Sequence, residues 1–350
     1  MTESDNRLET MKQWLAGLPL AEPCELASLR SASSDASFRR YFRVNAGLRT
    51  LIVMDAPPPQ EDCRPFIHAA QVLDAAGVTV PAVLFQDLER GFLLLSDLGD
   101  TTMLARINTQ PEQADPLYRA ACAQLITLQQ PSRPGVFADY DEATQMTELR
   151  LFDQWYLQQH LTASLTETEQ QQLRDVYSAI IANTLAQPMV FVHRDWHSRN
   201  LMVLPADSPL AEKNSGNSLA VIDFQDALYG PVTYDLVSLL RDAYIDWPED
   251  QQIDWAARYW DAARAAGVPV QADFGDFYRD FEWMGLQRQL KVLGIFARLA
   301  IRDGKSGYLA DMPRVLSYVL STSRRYREFA PLLSLLQRLD GVTEQSALTF

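Results

Sequence analysis

The spacing of apolar residues predicts a chain in two parts, of which the first is rich in strands. Residues 7–18 repeat apolar side chains at helical intervals and predict an amphipathic helix near the start of the chain. Three strand-like runs follow at residues 25–32, 38–45 and 49–55. Three consecutive prolines at residues 57–59 end the last run, because proline has no N–H to donate to a strand ladder.

One helix and two more strands complete this first part. Residues 63–76 show helical spacing, and we expect this helix to end at Gly77, since glycine readily adopts the left-handed conformation of helix C-termini. Residues 83–86 and 91–95 predict strands. The order of three strands, one helix and two strands predicts a small N-lobe, residues 1–95, with an antiparallel sheet.

The second part is predicted to be mainly helical. Residues 96–100, which read Ser-Asp-Leu-Gly-Asp, indicate a hinge, and short strands return only around residues 189–223. The predicted helices occupy residues 115–130, 144–160, 167–185, 233–246, 251–266, 274–303 and 312–338. We therefore predict an α+β protein in which a mainly helical C-lobe, residues 101–350, follows the N-lobe and the hinge.

One polar loop carries the strongest chemical signal. Residues 193–200 read HRDWHSRN, and the apolar run VIDF follows at residues 221–224, so that Asp195, Asn200 and Asp223 lie at strand ends. In phosphoryl transfer the protein positions a hydroxyl and neutralises phosphate charge through metal ions, so three oxygen-bearing side chains are sufficient. The pattern is far more specific than a lone glycine motif. The alternative is that these side chains only cap local backbone groups.

These residues resemble the aminoglycoside phosphotransferase and choline kinase group, the small-molecule branch of the protein-kinase-like fold. The resemblance implies a two-lobed protein that uses ATP and Mg²⁺. It implies that Asp195 accepts the proton of the substrate hydroxyl and that His193 braces the loop. Asn200 and Asp223 would hold the magnesium.

The nucleotide side departs from this family. Met54 lies where the family usually has a lysine, and Phe66 or His68 lies where its glutamate partner would be. The loss of both partners indicates a rearranged phosphate site. Arg40 and Arg43 on the neighbouring strand are candidate replacement cations, since guanidinium pairs well with phosphate. The alternative is that both arginines only solvate an edge strand.

Small residues and the hinge supply the other nucleotide contacts that we predict. Residues 33–37 lie where a glycine-rich loop would be, and their N–H groups could form a phosphate nest, although the stretch alone also fits a polar hairpin. The third strand and the hinge backbone would enclose adenine, and side chains such as Asp97 would be solvated or capping. The residues that we predict to contact the nucleotide in these segments are Ser34, Ala36, Ser37, Ile52, Leu95, Asp97 and Leu98.

Polar residues after the motif are candidate acceptor contacts. His197 and Arg199 lie in the loop, and Arg241 lies on the helix that follows it. Gln287, Arg288 and Lys291 cluster on a later helix whose apolar stripe is predicted to be buried. They could instead form a solvated face. If they are functional, the two cations suit a carboxylate, and Gln287 suits an amide or a hydroxyl.

Three further segments narrow the resemblance. Residues 37–43, 224–231 and 290–299 are similar to bacterial kinases that phosphorylate the anomeric C1 hydroxyl of N-acetylmuramate and N-acetylglucosamine in peptidoglycan recycling. A carboxylate base is adequate for this reaction, because an anomeric hydroxyl is more acidic than an ordinary alcohol. Two alternatives remain: an aminoglycoside or other small-molecule phosphotransferase with the same catalytic residues, and a nucleotide-binding pseudokinase, which Met54 suggests.

Composition limits the partners and the compartment. Acidic residues exceed basic ones, 45 against 31, which argues against a nucleic-acid partner and disfavours an anionic membrane surface. The opening residues do not resemble a signal peptide, and no apolar run is long enough to span a bilayer. Cys24, Cys63 and Cys122 match neither a zinc motif nor a disulfide framework. We expect a cytoplasmic protein whose partners are ATP and a small amino sugar.

Overall fold

The structure is a computed structural model that describes residues 3–34, 38–205 and 219–340. In these residues the strands are β1 (Glu25–Ser34), β2 (Arg40–Ala46), β3 (Arg49–Asp55), β4 (Val83–Asp87), β5 (Phe92–Ser96), β6 (Met189–Val192), β7 (Leu201–Val203), β8 (Leu219–Val221) and β9 (Leu228–Pro231). The α-helices of the same residues are α1 (Glu3–Ala16), α2 (Cys63–Ala76), α3 (Met103–Thr109), α4 (Ala114–Gln129), α5 (Glu142–Leu151), α6 (Glu167–Ala186), α7 (Tyr234–Leu240), α8 (Glu249–Ala265), α9 (Phe274–Ile301), α10 (Met312–Arg325) and α11 (Ala330–Asp340).

The chain forms two compact units. The first is made of Met1–Gln113 and Asn200–Ala227, and the second of Ala114–Arg199 and Leu228–Phe350. This division differs from the predicted lobes, because the hairpin β7–β8 belongs with the first unit. Backbone pairing explains the difference. The N–H of Val203 donates to the carbonyl of Thr101 at 2.8 Å, and the N–H of Val221 donates to that of Thr79, also at 2.8 Å.

A five-stranded sheet is the centre of the first unit. Its order is β1-β2-β3-β5-β4, and each neighbouring pair is antiparallel. Apolar side chains of α1, including Met11 and Leu15, pack on Val44, Leu51 and Val53 on one face of the sheet. The two-residue period of a strand therefore turns alternate β3 side chains to the other face.

The helix α2 contacts the segment that carries Asp223. It begins after Asp62, whose side chain accepts the N–H of Arg64, and it ends at Gly77 in the left-handed conformation, as predicted. The ring of Phe66 lies 4.7 Å from that of Phe224. This contact fixes the end of strand β8 and the residue after Asp223 against α2.

The second unit is built around the long helix α9. Its predicted apolar stripe is confirmed, since Trp283, Leu286, Leu290 and Leu293 are all buried. At Gly294 the helix lies against the backbone of Leu151, where an added Cβ would come within 2.3 Å of a carbonyl carbon. Close approach of the two elements therefore requires glycine there.

Several predicted elements differ in detail. The helix predicted at residues 144–160 is α5 followed by a π-helical segment, Phe152–His160. The helix predicted at residues 312–338 is interrupted at Tyr326, whose backbone is extended and whose hydroxyl donates to Glu282 at 2.7 Å. A tertiary hydrogen bond thus replaces helical continuity. The short elements α3 and β9 were not predicted.

The predicted α+β class is confirmed, with the antiparallel sheet in the first part of the chain and mainly helical structure after it. In the described residues, we find no helix with both the length and the apolar composition needed to cross a bilayer.

Candidate active site

The loop that carries Asp195 is anchored from below by a buried carboxylate. Strand β6 leads into the loop, and the N–H groups of His193 and Arg194 donate to the two oxygens of Asp235 at 2.7 and 2.9 Å. Burial raises the pKa of Asp235 to about 7, although these two hydrogen bonds lower it. Because Arg194 has a positive φ of 78°, the paired anchor holds a backbone turn that non-glycine residues rarely adopt.

The carboxylate of Asp195 is partly exposed. Its side chain is 43% exposed, and its Oδ1 lies 3.6 Å from Nη2 of the buried Arg288. Burial raises the pKa of Asp195, but the charges of Lys291, His197 and Arg288 outweigh that effect and lower it to about 2. The side chain is therefore ionised at neutral pH and can accept a hydrogen bond.

His193, which was predicted to brace the loop, contacts two residues that follow it in the chain. The N–H of Asp195 donates to its Nδ1 at 3.2 Å, and its ring meets Trp196 edge-on at 5.6 Å. The side chain is buried. These contacts orient the backbone at Asp195. The role of His193 in catalysis remains a prediction.

A second buried carboxylate anchors the far end of the loop. The N–H and the hydroxyl of Ser198 both donate to Oδ2 of Asp242, at 2.9 and 2.5 Å. The other oxygen of Asp242 accepts the N–H of Tyr244 at 2.9 Å. Asp242 was considered from the sequence only together with Arg241, as a possible acceptor contact on the helix that follows the motif, and its role as an anchor of the loop was not predicted.

Glu148 on α5 joins the loop to α9. Its carboxylate pairs with the guanidinium of Arg194 and lies 3.0 Å from Nζ of Lys291. The hydroxyl of Tyr140 donates to it at 2.5 Å, and the amide of Gln287 donates to it at 3.1 Å. Burial raises the pKa of Glu148, but Lys291 and Arg194 lower it to about 2. Glu148 was missed, because no motif marks it.

The cluster on α9 is not a solvated face. Gln287, Arg288 and Lys291 are all buried, so that alternative is wrong. Lys291 also donates to the hydroxyl of Tyr234 at 2.9 Å. Burial lowers the pKa of Lys291, but Glu148 raises it above its usual value, so the ammonium stays charged. Arg288 is the member of the cluster whose guanidinium reaches Asp195.

The other predicted acceptor residues have different surroundings. His197 meets the ring of Tyr244 edge-on at 5.3 Å, and the exposed Arg199 lies 3.6 Å above the same ring. Arg241 is buried and lies 2.9 Å from Glu282, with a further hydrogen bond of 3.0 Å to a threonine on α10. Its ion pair stabilises the packing of α7 against α9, and its role toward a substrate stays a prediction.

The predicted metal ligands lie together in the first unit. Asn200 precedes β7 and Asp223 follows β8, and pairing of Leu201 with Val221 brings these two ends side by side. The amide nitrogen of Asn200 lies 3.5 Å from Oδ2 of Asp223. The other oxygen of Asp223 accepts the amide of Gln225 at 2.8 Å, and the side chain is 37% exposed.

This pair fits magnesium chemically. Carboxylate and amide oxygens are hard ligands of the kind that Mg²⁺ prefers. In the described ranges, we find no cluster of three or more His, Cys, Asp and Glu side chains that could hold a metal ion. Asn200 and Asp223 would thus supply only part of a coordination shell, which suits Mg²⁺ because that ion usually keeps waters and binds substrate phosphates.

The two arginines proposed as replacement cations are held by carboxylates. Arg40 donates from Nε to the buried Asp55 at 2.9 Å. Arg43 donates twice to Asp97, at 2.5 and 2.9 Å, and also pairs with Asp100. The edge-strand alternative is wrong, because β2 lies between β1 and β3. A role for either arginine toward phosphate remains a prediction, and it would compete with these ion pairs.

The remaining nucleotide residues lie in or beside the sheet. Ile52 pairs with Leu95 across β3 and β5, and Leu98 packs with apolar residues of the β7–β8 hairpin. The Asp97 side chain caps the turn by accepting the N–H of Gly99 at 2.9 Å, so it is capping and not solvated. Ser34 is the last residue of β1. Ala36 and Ser37 lie outside the described residues.

The fold and the polar loop define a kinase-like phosphotransferase. The profile of the phosphotransferase enzyme family (APH) matches residues 28–274, and the chain belongs to this family.

Two proteins with sequences similar to this chain share one name. The N-acetylmuramate/N-acetylglucosamine kinase of Pseudomonas aeruginosa is 49% identical over 313 residues, which are 89% of each chain. The enzyme of that name from Neisseria meningitidis serogroup B is 44% identical over 344 residues, 97% of this chain and 98% of the relative.

Solved structures share the fold. A choline/ethanolamine kinase family protein from Mesorhizobium loti superposes with a TM-score of 0.59 at 15% identity, covering 95% of this chain and 99% of that one. A spectinomycin phosphotransferase in complex with ADP and spectinomycin has a TM-score of 0.56 at 10% identity, covering 85% and 93%.

Proposed function

We propose that the protein transfers the γ-phosphoryl group of ATP, with Mg²⁺, to the anomeric C1 hydroxyl of N-acetylmuramate and N-acetylglucosamine. Such a sugar 1-kinase would act in peptidoglycan recycling, and we place it in the cytoplasm. The observation that carries the proposal is the Asp195 carboxylate, ionised and partly exposed on a loop that Asp235 and Asp242 anchor. The names of relatives at 44 and 49% identity support the choice of sugar.

Asp195 would receive the hydrogen bond of the sugar hydroxyl. A carboxylate with a pKa of about 2 is a weak base, so it orients the hydroxyl first and takes the proton only as the new bond to phosphorus forms. This timing suits an anomeric hydroxyl, which gives up its proton more readily than an ordinary alcohol. Positioning of this kind contributes roughly 10²–10⁴-fold to the rate.

Asn200 and Asp223 would hold the magnesium ion. When bound, Mg²⁺ neutralises the charge of the nucleotide phosphates, and ATP supplies the transferred group. Asn200 and Asp223 would present their oxygen ligands from one end of the β7–β8 hairpin. The amide of Gln225 orients the Asp223 carboxylate from the side.

The cations beside Asp195 suit an anionic acceptor. Arg288 lies 3.6 Å from Asp195, and Lys291 pairs with Glu148. The carboxylates of Asp235 and Asp242 hold the same loop, so the cluster as a whole has no excess of positive charge. Arg288, beside the proposed base, would contact the carboxylate of N-acetylmuramate, which favours this sugar over a polycationic aminoglycoside.

The test is turnover over a panel of acceptors. ADP release with ATP and Mg²⁺ would be measured for N-acetylmuramate, N-acetylglucosamine, kanamycin and choline, with phosphorus NMR of each product. We expect the two amino sugars to turn over and to give sugar 1-phosphates. Turnover with kanamycin or choline alone would refute the proposed substrate, and no turnover with any acceptor would favour a pseudokinase.

A further inference from the structure

The third strand presents no cation at the place where protein kinases have their lysine. In those enzymes a lysine on β3 contacts the phosphates and pairs with a glutamate of the following helix. Here Met54 is fully buried between neighbouring strands and pairs with Leu93. Arg40 and Arg43, on the next strand, are held by Asp55 and by Asp97. A phosphate site in this unit therefore needs a positive charge from another position.

Arg39, directly before β2, can supply this positive charge. Its side chain is only 11% exposed, and its guanidinium lies between two carboxylates of the same unit. Nε is 3.9 Å from Oε2 of Glu61, and Nη2 is 3.9 Å from Oδ1 of Asp223. Glu61 is 20% exposed and directly precedes the N-cap residue of α2. One guanidinium thus joins the helix α2 to the predicted metal ligand.

The two contacts define the orientation of the guanidinium. Its Nε edge is directed at Glu61 and its Nη2 at Asp223, each at 3.9 Å. A guanidinium has five N–H donors in a fixed plane, and a phosphate group accepts two of them side by side. A phosphate held beside Asp223 would therefore lie within reach of Nη2 of Arg39.

We propose that Arg39 binds the nucleotide phosphates and that Glu61 orients it, so that this pair replaces the lysine and glutamate of protein kinases. The inference rests on the use of ATP in the proposed function, but not on the identity of the acceptor. Arg39 contacts the nucleotide, and Glu61 is a positioning residue that acts through Arg39. The contact of Phe66 with Phe224 supports the geometry, because it holds α2 and the Asp223 segment together.

The experiment compares ligands with and without phosphates. Isothermal titration would measure the affinities for ADP with Mg²⁺ and for adenosine in the wild type, Arg39→Met, Arg39→Lys and Glu61→Gln. We expect Arg39→Met to bind ADP roughly 10- to 100-fold more weakly, the range for a lost charge-assisted hydrogen bond, with adenosine affinity unchanged. Arg39→Lys should recover part of the loss, and Glu61→Gln should lose about three- to tenfold.

Arg64→Met is the matched control. Arg64 lies on α2 close to Glu61, but its side chain is 74% exposed and pairs with Asp62 at 3.2 Å. We expect its ADP affinity to equal that of the wild type. ADP affinity that is unchanged in both Arg39 variants would overturn the proposal, and so would an equal loss of adenosine affinity.

The ADP titration tests the phosphate site independently of the proposed sugar kinase activity. Titration with ADP needs no acceptor, so a selective loss of ADP affinity in Arg39→Met would support the phosphate site even if no amino sugar turned over. Unchanged ADP affinity beside normal turnover of N-acetylmuramate would remove Arg39 from the site and leave the sugar kinase intact.

Discussion

The two halves of the candidate machinery are held in different ways. In the second unit, the Asp195 loop is fixed by hydrogen bonds of 2.5–2.9 Å to Asp235 and Asp242. In the first unit, Asp223 accepts one hydrogen bond of 2.8 Å from Gln225, while Asn200 and Arg39 lie 3.5 and 3.9 Å from its carboxylate oxygens. The loop of the proposed base is therefore held by two buried carboxylates, whereas the proposed metal ligands are placed by the ends of the β7–β8 hairpin.

Holding the Asp195 loop requires charged carboxylates to be buried, which lowers stability unless the charges are compensated. The base loop is held by buried carboxylates, and a buried carboxylate stabilises only when it is paired or hydrogen-bonded. Glu148 is paired with Arg194 and Lys291, whereas the hydrogen-bond donors to Asp235 that we find among the described residues are two backbone N–H groups, and burial raises the pKa of Asp235 to about 7. We infer that the rigidity of the loop depends on these few groups.

The largest effect is expected for the base itself. In Asp195→Asn the side chain keeps its shape but can no longer take a proton, so kcat should fall by roughly 10²–10⁴-fold. The KM for ATP should change little, because the proposed contact of Asp195 is with the sugar hydroxyl and not with the nucleotide. Steady-state kinetics with N-acetylmuramate would measure both constants. Wild-type kcat in this variant would remove Asp195 from the mechanism.

Glu148→Gln should cause the largest loss of stability. The change leaves the buried Lys291 and the partly buried Arg194 without their shared carboxylate, and breaking a buried pair costs about 3–5 kcal/mol. We also expect a lower kcat at temperatures where the variant is folded, since Arg194 is part of the loop. Chemical denaturation and kinetics would measure the two effects.

An exposed ion pair provides the control for this variant. Glu9→Gln on α1 removes the 2.7 Å pair with Lys12, in which the glutamate is 57% exposed, so its cost should be below about 1 kcal/mol. Equal costs for Glu148→Gln and Glu9→Gln would show that the buried cluster does not stabilise the loop.

The anchor Asp235 should be visible in the pH dependence of stability. Its pKa is raised from 3.8 to about 7, so between about pH 4 and pH 7 the unfolded chain loses this proton while the folded chain keeps it. The contribution of this group to the free energy of unfolding therefore falls as the pH rises through that window. Glu148 acts oppositely, since its pKa is lowered from 4.5 to about 2 and its contribution is lost as the pH falls through that range.

Asp235→Asn isolates the effect of the anchor. Asparagine does not titrate, so the difference in unfolding free energy between the wild type and the variant should shift in favour of the variant from pH 4 to pH 7. Denaturation at a series of pH values would measure this difference. A difference that is constant across the window would contradict the raised pKa.

The smallest effect is expected at the rim of the loop. Arg199 is exposed and stacks on Tyr244, and such a cation–π contact contributes about 0.5–1 kcal/mol at an exposed site. Arg199→Gln should lower stability by no more than this. If Arg199 also contacts the sugar, as predicted, the KM for N-acetylmuramate should rise while kcat is kept. An unchanged KM would make the residue structural only.

The sequence predicted those elements whose structure is determined by residues close together in the chain. The five sheet strands and the helix that ends at Gly77 were predictable, because alternation of apolar residues, prolines and a C-cap glycine act within a few positions. The short strand β9 was not, because its four residues form a strand only by pairing with β6. The sequence also did not show that the hairpin β7–β8 groups with the first unit, since this depends on its backbone hydrogen bonds to Thr79 and Thr101, about 100 or more residues earlier in the chain.

The site follows the same rule. Asp195, Asn200 and Asp223 are marked by one compact motif, so they could be proposed from the sequence. The partners that hold charged groups lie far away along the chain: Asp97 is 54 residues from Arg43, and Glu148 is 46 residues from Arg194. Chemistry alone identified arginines as suitable cations, but only the folded chain shows which carboxylates they contact.

The central claim is that the prepositioned Asp195 activates a sugar hydroxyl at C1. The most direct test is phosphorus NMR of N-acetylmuramate incubated with ATP and Mg²⁺ and either the wild type or Asp195→Asn. We expect a sugar 1-phosphate signal, coupled to the anomeric proton, that the wild type produces rapidly and the variant barely produces. A phosphate ester at another hydroxyl, or equal product from both proteins, would contradict it.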